Sequence, residues 1–399
     1  MGPSVEGMHR YFGRLAIGTV AVLAGAVVAP AVAVARSDAT TPCDSHCRGI
    51  ERAGGQLVAR DGGPPGLVVL VDRGGSVATF TFGTSEVGAK TPITSSDHLR
   101  LASVSKAYSG AVALALVAGG ALRLSDTVGT WLPELPATWS RATLAELLQH
   151  TSGIPDFITS PQFIPAVLAH PDAPPPPLGL LAFAEPLALS FTPPGSAYHY
   201  SNSDNEIVAL MVERATKSTY EQVLARTVTG PLGLSETTLP RGMDMPSPYA
   251  HGYAVSPGVA PSDVTRFFAA GWSWASGGMV ATPSDVDRFI RAYARGATTS
   301  SSVRARQFTF RPGSSEPPGP GTNAAGLAVF RYATPCGTVY GHTGNTSGYT
   351  QFAAATADGR RSVVVQVNAQ ITPRDAPGAF DQLREVESLA VCSALAHGR

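Results

Sequence analysis

The chain has 399 residues, 44% hydrophobic and 15% charged, enough apolar material to bury a large core in one domain or two interleaved lobes. Basic and acidic side chains number 29 each, and no basic run is interleaved with aromatics, so there is no footprint for nucleic acid. The nine histidines are scattered, with neither Cys-His spacing nor a His-Glu-x-x-His run, which excludes the usual zinc enzymes; no metal and no cofactor is expected.

At the amino terminus Arg10 and Arg14 precede an uncharged run from Leu15 that ends in Ala31-Val32-Ala33-Val34-Ala35, the layout of a signal peptide over residues 1–35. Cleavage after Ala35 leaves a mature chain starting at Arg36, and cleavage after Ala33 fits nearly as well. The alternative is an uncleaved anchor, because the 21 residues from Leu15 to Ala35 could span a bilayer; Pro30 and the alanine-rich end speak for cleavage. With no twin-arginine pair and no lipidation-type sequence before Cys43, plain secretion to the cell-wall side is expected, with no stable membrane insertion after cleavage. Cys43, Cys47, Cys336 and Cys392 all survive cleavage, an even count compatible with disulfides in three full pairings.

A polar segment, 36–65, leads into a single expected domain over 66–396. Leu67 to Val71 reads as a buried strand, and Gly74-Gly75 turns it into a second near Val77 to Phe82. An alanine- and leucine-rich helix follows from about Val104 to Ala118 and stops at Gly119-Gly120. Residues 107–322 then read as mostly helical, with helices over Leu144 to Gln149, Asp204 to Thr216, Tyr220 to Val228 and Ser284 to Tyr293. A Pro-rich span, 161–177, is expected to be a surface insertion rather than a wall of a cleft, and 298–322 a flexible return. Leu327 to Arg331, Gly337 to Gly341, Tyr349 to Thr356 and Ser362 to Val367 read as consecutive antiparallel strands, with Asp358-Gly359 as a hairpin turn and a closing helix from Phe380 to Ala396. The expected fold class is therefore α/β (α+β): an antiparallel sheet built from 66–106 and 323–396, flanked by terminal helices, with a large helical insertion.

Three short motifs carry chemistry. A serine hydroxyl becomes a nucleophile only when a base takes its proton, and Ser103-Val104-Ser105-Lys106 places an amine one helical turn away on the same face, in a chain with only three lysines. At a helix start the Ser103 backbone N–H lies where a developing oxyanion is favoured. Tyr200-Ser201-Asn202 offers a phenol that can share protons with a nearby lysine and an amide that can bind a carbonyl. His342-Thr343-Gly344 sits on a late strand, where glycine permits close backbone approach and threonine and histidine offer donors to a carboxylate.

In this order and these contexts, the three motifs resemble the penicillin-recognising serine hydrolases: DD-peptidases, class C β-lactamases and related esterases and aminopeptidases. Within them the sequence looks most like the secreted actinomycete D-alanyl-D-alanine carboxypeptidases. The resemblance runs from about Leu67 to Cys392 and includes Leu148-Gln149-His150-Thr151-Ser152-Gly153-Ile154, Gly230-Pro231-Leu232-Gly233-Leu234, Ser273-Trp274-Ala275-Ser276-Gly277-Gly278 and Cys336 to Gly344. It implies a β-lactamase/transpeptidase-like fold with the cleft between sheet and helices, Ser103 as nucleophile, and Lys106 and Tyr200 as the proton-transfer pair. It further implies that Asn202 binds the substrate amide, Thr343 its carboxylate, Trp274 the pocket wall, and the N–H groups of Ser103 and Asn345 the oxyanion. His150 is expected to be structural. The resemblance also implies a Cys336–Cys392 disulfide, leaving Cys43 and Cys47 as a short-loop pair it does not support. The substrate implied is a peptidoglycan stem peptide, with β-lactams acylating the same serine. Esterase, D-amino-acid amidase or β-lactamase activity on the same scaffold is the alternative, and a non-catalytic cell-wall sensor the rival of another class. Two departures matter: His342 stands where many members have lysine, and Asn345 where the carboxypeptidases commonly carry a second threonine. Arg331 is the candidate to supply the missing charge.

Overall fold

The computed structural model describes residues 34–36 and 45–396. The expected signal peptide, apart from its last two residues, and Cys43 lie outside them. Eight antiparallel strands from both ends of the chain form the main sheet: β1 (Val34–Arg36), β2 (Gly66–Asp72), β3 (Val77–Gly83), β4 (Thr322–Ala325), β5 (Phe330–Thr334), β6 (Gly337–Thr346), β7 (Tyr349–Ala355) and β8 (Ser362–Val367). Their order is β1-β3-β2-β8-β7-β6-β5-β4, with β2 against β8 and Val69 opposite Val365. These two strands take the middle because their runs, Leu67 to Val71 and Val363 to Val365, are apolar and valine-rich and can be buried on both faces.

Side-chain alternation along those strands separates two cores. Leu67, Val69, Val71, Val363 and Val365 pack beneath two helices, α1 (Ser45–Ala59) and the C-terminal helix, while Leu70, Val364 and Ala353 face the helical layer on the other side. In that layer α2 (Ser105–Ala118) is buried nearly all round and packs against α3 (Asn202–Thr216). Two further helices complete the frame, α4 (Pro283–Arg295) and the C-terminal α5 (Pro377–Leu395). The Cys336–Cys392 disulfide ties the turn between β5 and β6 to α5.

Four expectations change. Segment 36–65 contains α1, whose glycines hide it from propensity reasoning: a Cβ on Gly49 would stand 3.0 Å from Leu389, and one on Gly54 would stand 2.6 Å from the Phe82 ring. The strand expected at Leu327 begins at Phe330, because Gly326 to Val329 close a tight turn in which Gly326 N donates to Val329 O at 2.7 Å and Ala328 takes a positive φ of 53°. Segment 298–322 holds a helix, Ser301–Gln307, before β4. The Pro-rich span folds into short helices, Phe163–Ala169 and Pro177–Leu181, and its first helix forms part of a cleft wall rather than a mere surface insertion.

Candidate active site

Ser103 lies in a one-turn 3-10 helix, Ala102–Val104, that leads directly into α2. Ala102 before it has φ 48°, a conformation costly for a residue with a Cβ, which the surrounding packing must hold in place. One turn on, Lys106 is fully enclosed and its ammonium has three acceptors: Ser103 Oγ at 3.2 Å, Asn202 Oδ1 at 2.6 Å and the Ser276 carbonyl at 2.9 Å. Burial brings its pKa down to about 8, although Asp156, Glu206 and Asp204 favour the charged form.

Tyr200 ends the loop before α3. Its ring lies 4.9 Å from Lys106 Nζ on one side and 4.4 Å from the His150 ring on another. Burial raises its pKa well above that of a free phenol; the Ser103 hydroxyl beside it favours the ionised form, yet the Tyr200 hydroxyl makes no hydrogen bond of normal geometry. His150, expected to be structural, also has positive φ, 56°, and its Nδ1 bonds Asp204 Oδ2 at 2.9 Å. Ser152 Oγ donates to the other Asp204 oxygen at 2.5 Å. This buried set backs the Tyr200 ring.

The strand edge opposite Ser103 is the end of β6. Pairing with β5 stops at Gly341, so 342–346 run on past the neighbouring strand and open a cleft over Ser103. Gly344 is needed there, because a Cβ would stand 2.4 Å from Leu101 O and 3.2 Å from Ser103 N. Thr343, Gly344 and Asn345 line the cleft, which has a volume of about 590 Å³, together with Ser103, Tyr200 and Asn202. The Thr343 hydroxyl, beside that of Tyr332, makes no hydrogen bond of normal geometry. The Asn345 amide is turned away to the strand ends: Nδ2 donates to Thr350 Oγ1 at 3.1 Å and to Ile371 O at 2.8 Å, and Oδ1 accepts from Gln370 at 2.7 Å.

Three expected cleft residues stand elsewhere. His342 is buried outside the cleft lining, with Nδ1 at 2.5 Å from Thr343 O and its pKa brought down to about 3 by burial and by Lys106, so it is uncharged at neutral pH. Trp274 does not wall the pocket; its indole is buried edge-on against Tyr220 and donates to Glu221 at 2.8 Å, and Trp272 lines the cleft instead. Arg331 is exposed and lies over the Phe310 ring at 5.3 Å. The arginines that do line the cleft are Arg374 and Arg384, the latter paired with buried Glu387.

Sequence reasoning also missed two carboxylates. Asp156 lines the cleft and accepts from Asn202 Nδ2 at 2.9 Å, so it fixes which end of that amide faces Lys106. Glu206, fully buried, accepts from the backbone N–H groups of Ala275 at 3.3 Å and Ser276 at 3.2 Å, and burial raises its pKa to about 7. Its signal in the sequence is its spacing: Glu206 follows Asn202 by four residues, on the same face of α3.

A family model described as Beta-lactamase matches residues 48–388. Penicillin-binding protein 4* of Bacillus subtilis is 28% identical over 194 residues, 47% of this chain and 41% of that protein. Beta-lactamase of Escherichia coli is 28% identical over 211 residues, 50% of this chain and 52% of that one. The chain thus spans about half the length of the curated relatives it matches. Among solved structures, the D-stereospecific amidohydrolase from Streptomyces sp. superposes with a TM-score of 0.73 at 28% identity, covering 86% of this chain and 98% of that one. The D-amino acid amidase from Ochrobactrum anthropi SV3 shares the fold, with a TM-score of 0.76 at 22% identity over 88% and 99% of the two chains.

Proposed function

The chain belongs to the beta-lactamase family and is a serine hydrolase of that fold, and we propose that it is an exported enzyme that cleaves D-aminoacyl amide or ester bonds through a Ser103 acyl-enzyme. Lys106, with a pKa near 8, is the group able to take the Ser103 proton, because the enclosed Tyr200 phenol stays protonated. The Lys106 ammonium so formed returns that proton through the Tyr200 hydroxyl to the leaving group as the acyl-enzyme forms, and water attacks the acyl-enzyme by the same relay in reverse to release the acid and restore Ser103. The N–H groups of Ser103 and Asn345 hold the oxyanion in both steps. Thr343 and Asn202 orient the substrate.

The observation that carries the choice of an amide or ester over a terminal carboxylate is the uncharged His342, shut away from the cleft, with Arg331 outside it. A second reading, D-alanyl-D-alanine carboxypeptidase on peptidoglycan stem peptides, is favoured by Arg374 and Arg384 in the cleft lining, which offer charge for a terminal carboxylate. Hydrolysis of D-alanine amide and of diacetyl-Lys-D-Ala-D-Ala by the same preparation separates the two. The amide is expected to have the higher kcat/KM by about tenfold or more. A preference for the peptide makes the enzyme a carboxypeptidase. Intact-mass measurement with benzylpenicillin and with Ser103→Ala checks the shared chemistry: no adduct and no turnover of any substrate would sink both readings.

A further inference from the structure

Charge is segregated along the cleft. Glu316, Arg374 and Arg384 come from the loop before β4, the loop after β8 and α5, whereas the helical-layer side of the lining, next to Asn202 and Asp156, contributes Phe157, Ile158, Phe163, Ile164, Val167 and Trp272. The aromatic members brace one another: Phe163 meets Phe157 edge-on at 5.2 Å between ring centroids and Trp272 at 5.8 Å. Ile158 and Ile164 are only half-buried, which leaves apolar surface open to whatever occupies the cleft.

Phe163, Ile164 and Val167 all come from the short helix in the Pro-rich segment, and that segment is clamped. Trp272 Nε1 donates to His170 O at 3.2 Å, Ala269 N donates to Pro171 O at 2.7 Å, and Pro174 sits where a Cβ on Gly271 would stand 2.7 Å away. The wall is therefore a fixed surface, built before substrate arrives.

We propose that this wall is the subsite for the side chain of the residue that acylates Ser103, and that it selects bulky apolar side chains of the leucine and phenylalanine kind. The inference rests on the serine-hydrolase reading above and names the substrate class for the same site. Lys106 bridges Ser103 and Asn202, and Asn202 Nδ2 donates to Asp156, after which Phe157 and Ile158 begin the wall, so the part of the substrate held on the Asn202 side of the scissile bond is the part that meets it. A leucine-like side chain removes apolar surface on both partners from water, whereas a carboxylate there loses its hydration with no cation in this part of the lining.

The test is the burst of p-nitrophenol from p-nitrophenyl esters of D-alanine, D-leucine, D-phenylalanine and D-glutamate, with the activated leaving group held constant. The acylation rate constant over Kd is expected to rise about tenfold or more from D-alanine to D-leucine and D-phenylalanine, and to fall below D-alanine for D-glutamate. Ile164→Asp is expected to remove most of the D-leucine advantage, with circular dichroism checking that it folds, and the milder Val167→Ala to move the ratio the same way. Equal rates across the series, or a preference for D-glutamate, overturn the subsite as long as Ser103 is still acylated by benzylpenicillin or by these esters. No acylation of Ser103 by any of them overturns the serine-hydrolase reading instead.

Discussion

Replacing Glu206 by glutamine is expected to shift the acidic limb of Ser103 acylation downward by about one pH unit. Lys106 donates only to neutral acceptors, so the carboxylates that hold its charge act from a distance. Glu206 accepts from Ser276 N while Ser276 O accepts from Lys106, which puts carboxylate and ammonium on the order of 7 Å apart. In a medium of effective dielectric ~20 a full charge there lends about 2 kcal/mol to the ammonium, roughly one and a half pKa units, and the partial ionisation of Glu206 brings the expected shift nearer to about one. Glu206 has its own pKa near 7 and is therefore mostly ionised around pH 8, where Lys106 titrates. Loss of a nearby negative charge favours the neutral amine, so the pKa of Lys106 falls and the limb moves toward acid. With the pKa near 8 roughly 10% of Lys106 is neutral at pH 7; with it near 7, roughly half is. Because Glu206 is itself about half ionised at pH 7, the variant should then acylate about two- to fivefold faster there and at the wild-type rate above about pH 9. Asp156, Asp204, His150, His342, Tyr200 and Tyr220, the other titratable groups facing this cluster, are unchanged in the comparison. The assay is the p-nitrophenol burst across about pH 5.5 to 10 for both proteins, with circular dichroism to check folding. A folded variant whose limb stays in place, or moves upward, refutes control of the nucleophile by neutral Lys106.

Gly344→Ala forces the β6 edge away from Leu101 and Ser103, and a displacement of that size should cost about 100-fold or more in acylation by benzylpenicillin, measured by intact mass over time. Trp274→Ala removes a buried indole and its bond to Glu221, and should cost about 3–5 kcal/mol in denaturant unfolding while ester selectivity in the folded fraction stays as in the wild type. A change in selectivity would return Trp274 to the pocket wall. Cys392→Ala opens a loop closed across a separation of 56 residues, worth at most about 4 kcal/mol by chain entropy, so the thermal midpoint should fall while the rate of acylation at low temperature is kept.

What could be read from the sequence was local. Leu67 to Val71 and Ser362 to Val367 were legible as strands because short valine-rich runs favour a pleated, buried surface, and α2 was legible because it is rich in alanine and leucine up to Gly119-Gly120. Ser103 and Lys106 were legible for the same reason, since one turn of helix fixes their spacing whatever the rest of the chain does. α1 was not, because Gly49, Gly54 and Gly55 lower its propensity, and two of them are explained only by the approach of Leu389 and Phe82.

The environment of the site was decided by tertiary structure. The other two acceptors of the Lys106 ammonium stand 96 and 170 residues along the chain, and no spacing rule reaches that far. Between two tryptophans two residues apart, packing sent Trp274 to Tyr220 and Trp272 to the cleft. His342 has the motif position of a carboxylate-binding residue, yet enclosure beside a buried ammonium leaves it neutral and out of reach. Residue types and their local order determine which groups can react; desolvation and the charges brought close by folding determine their protonation, because both depend on neighbours distant in sequence.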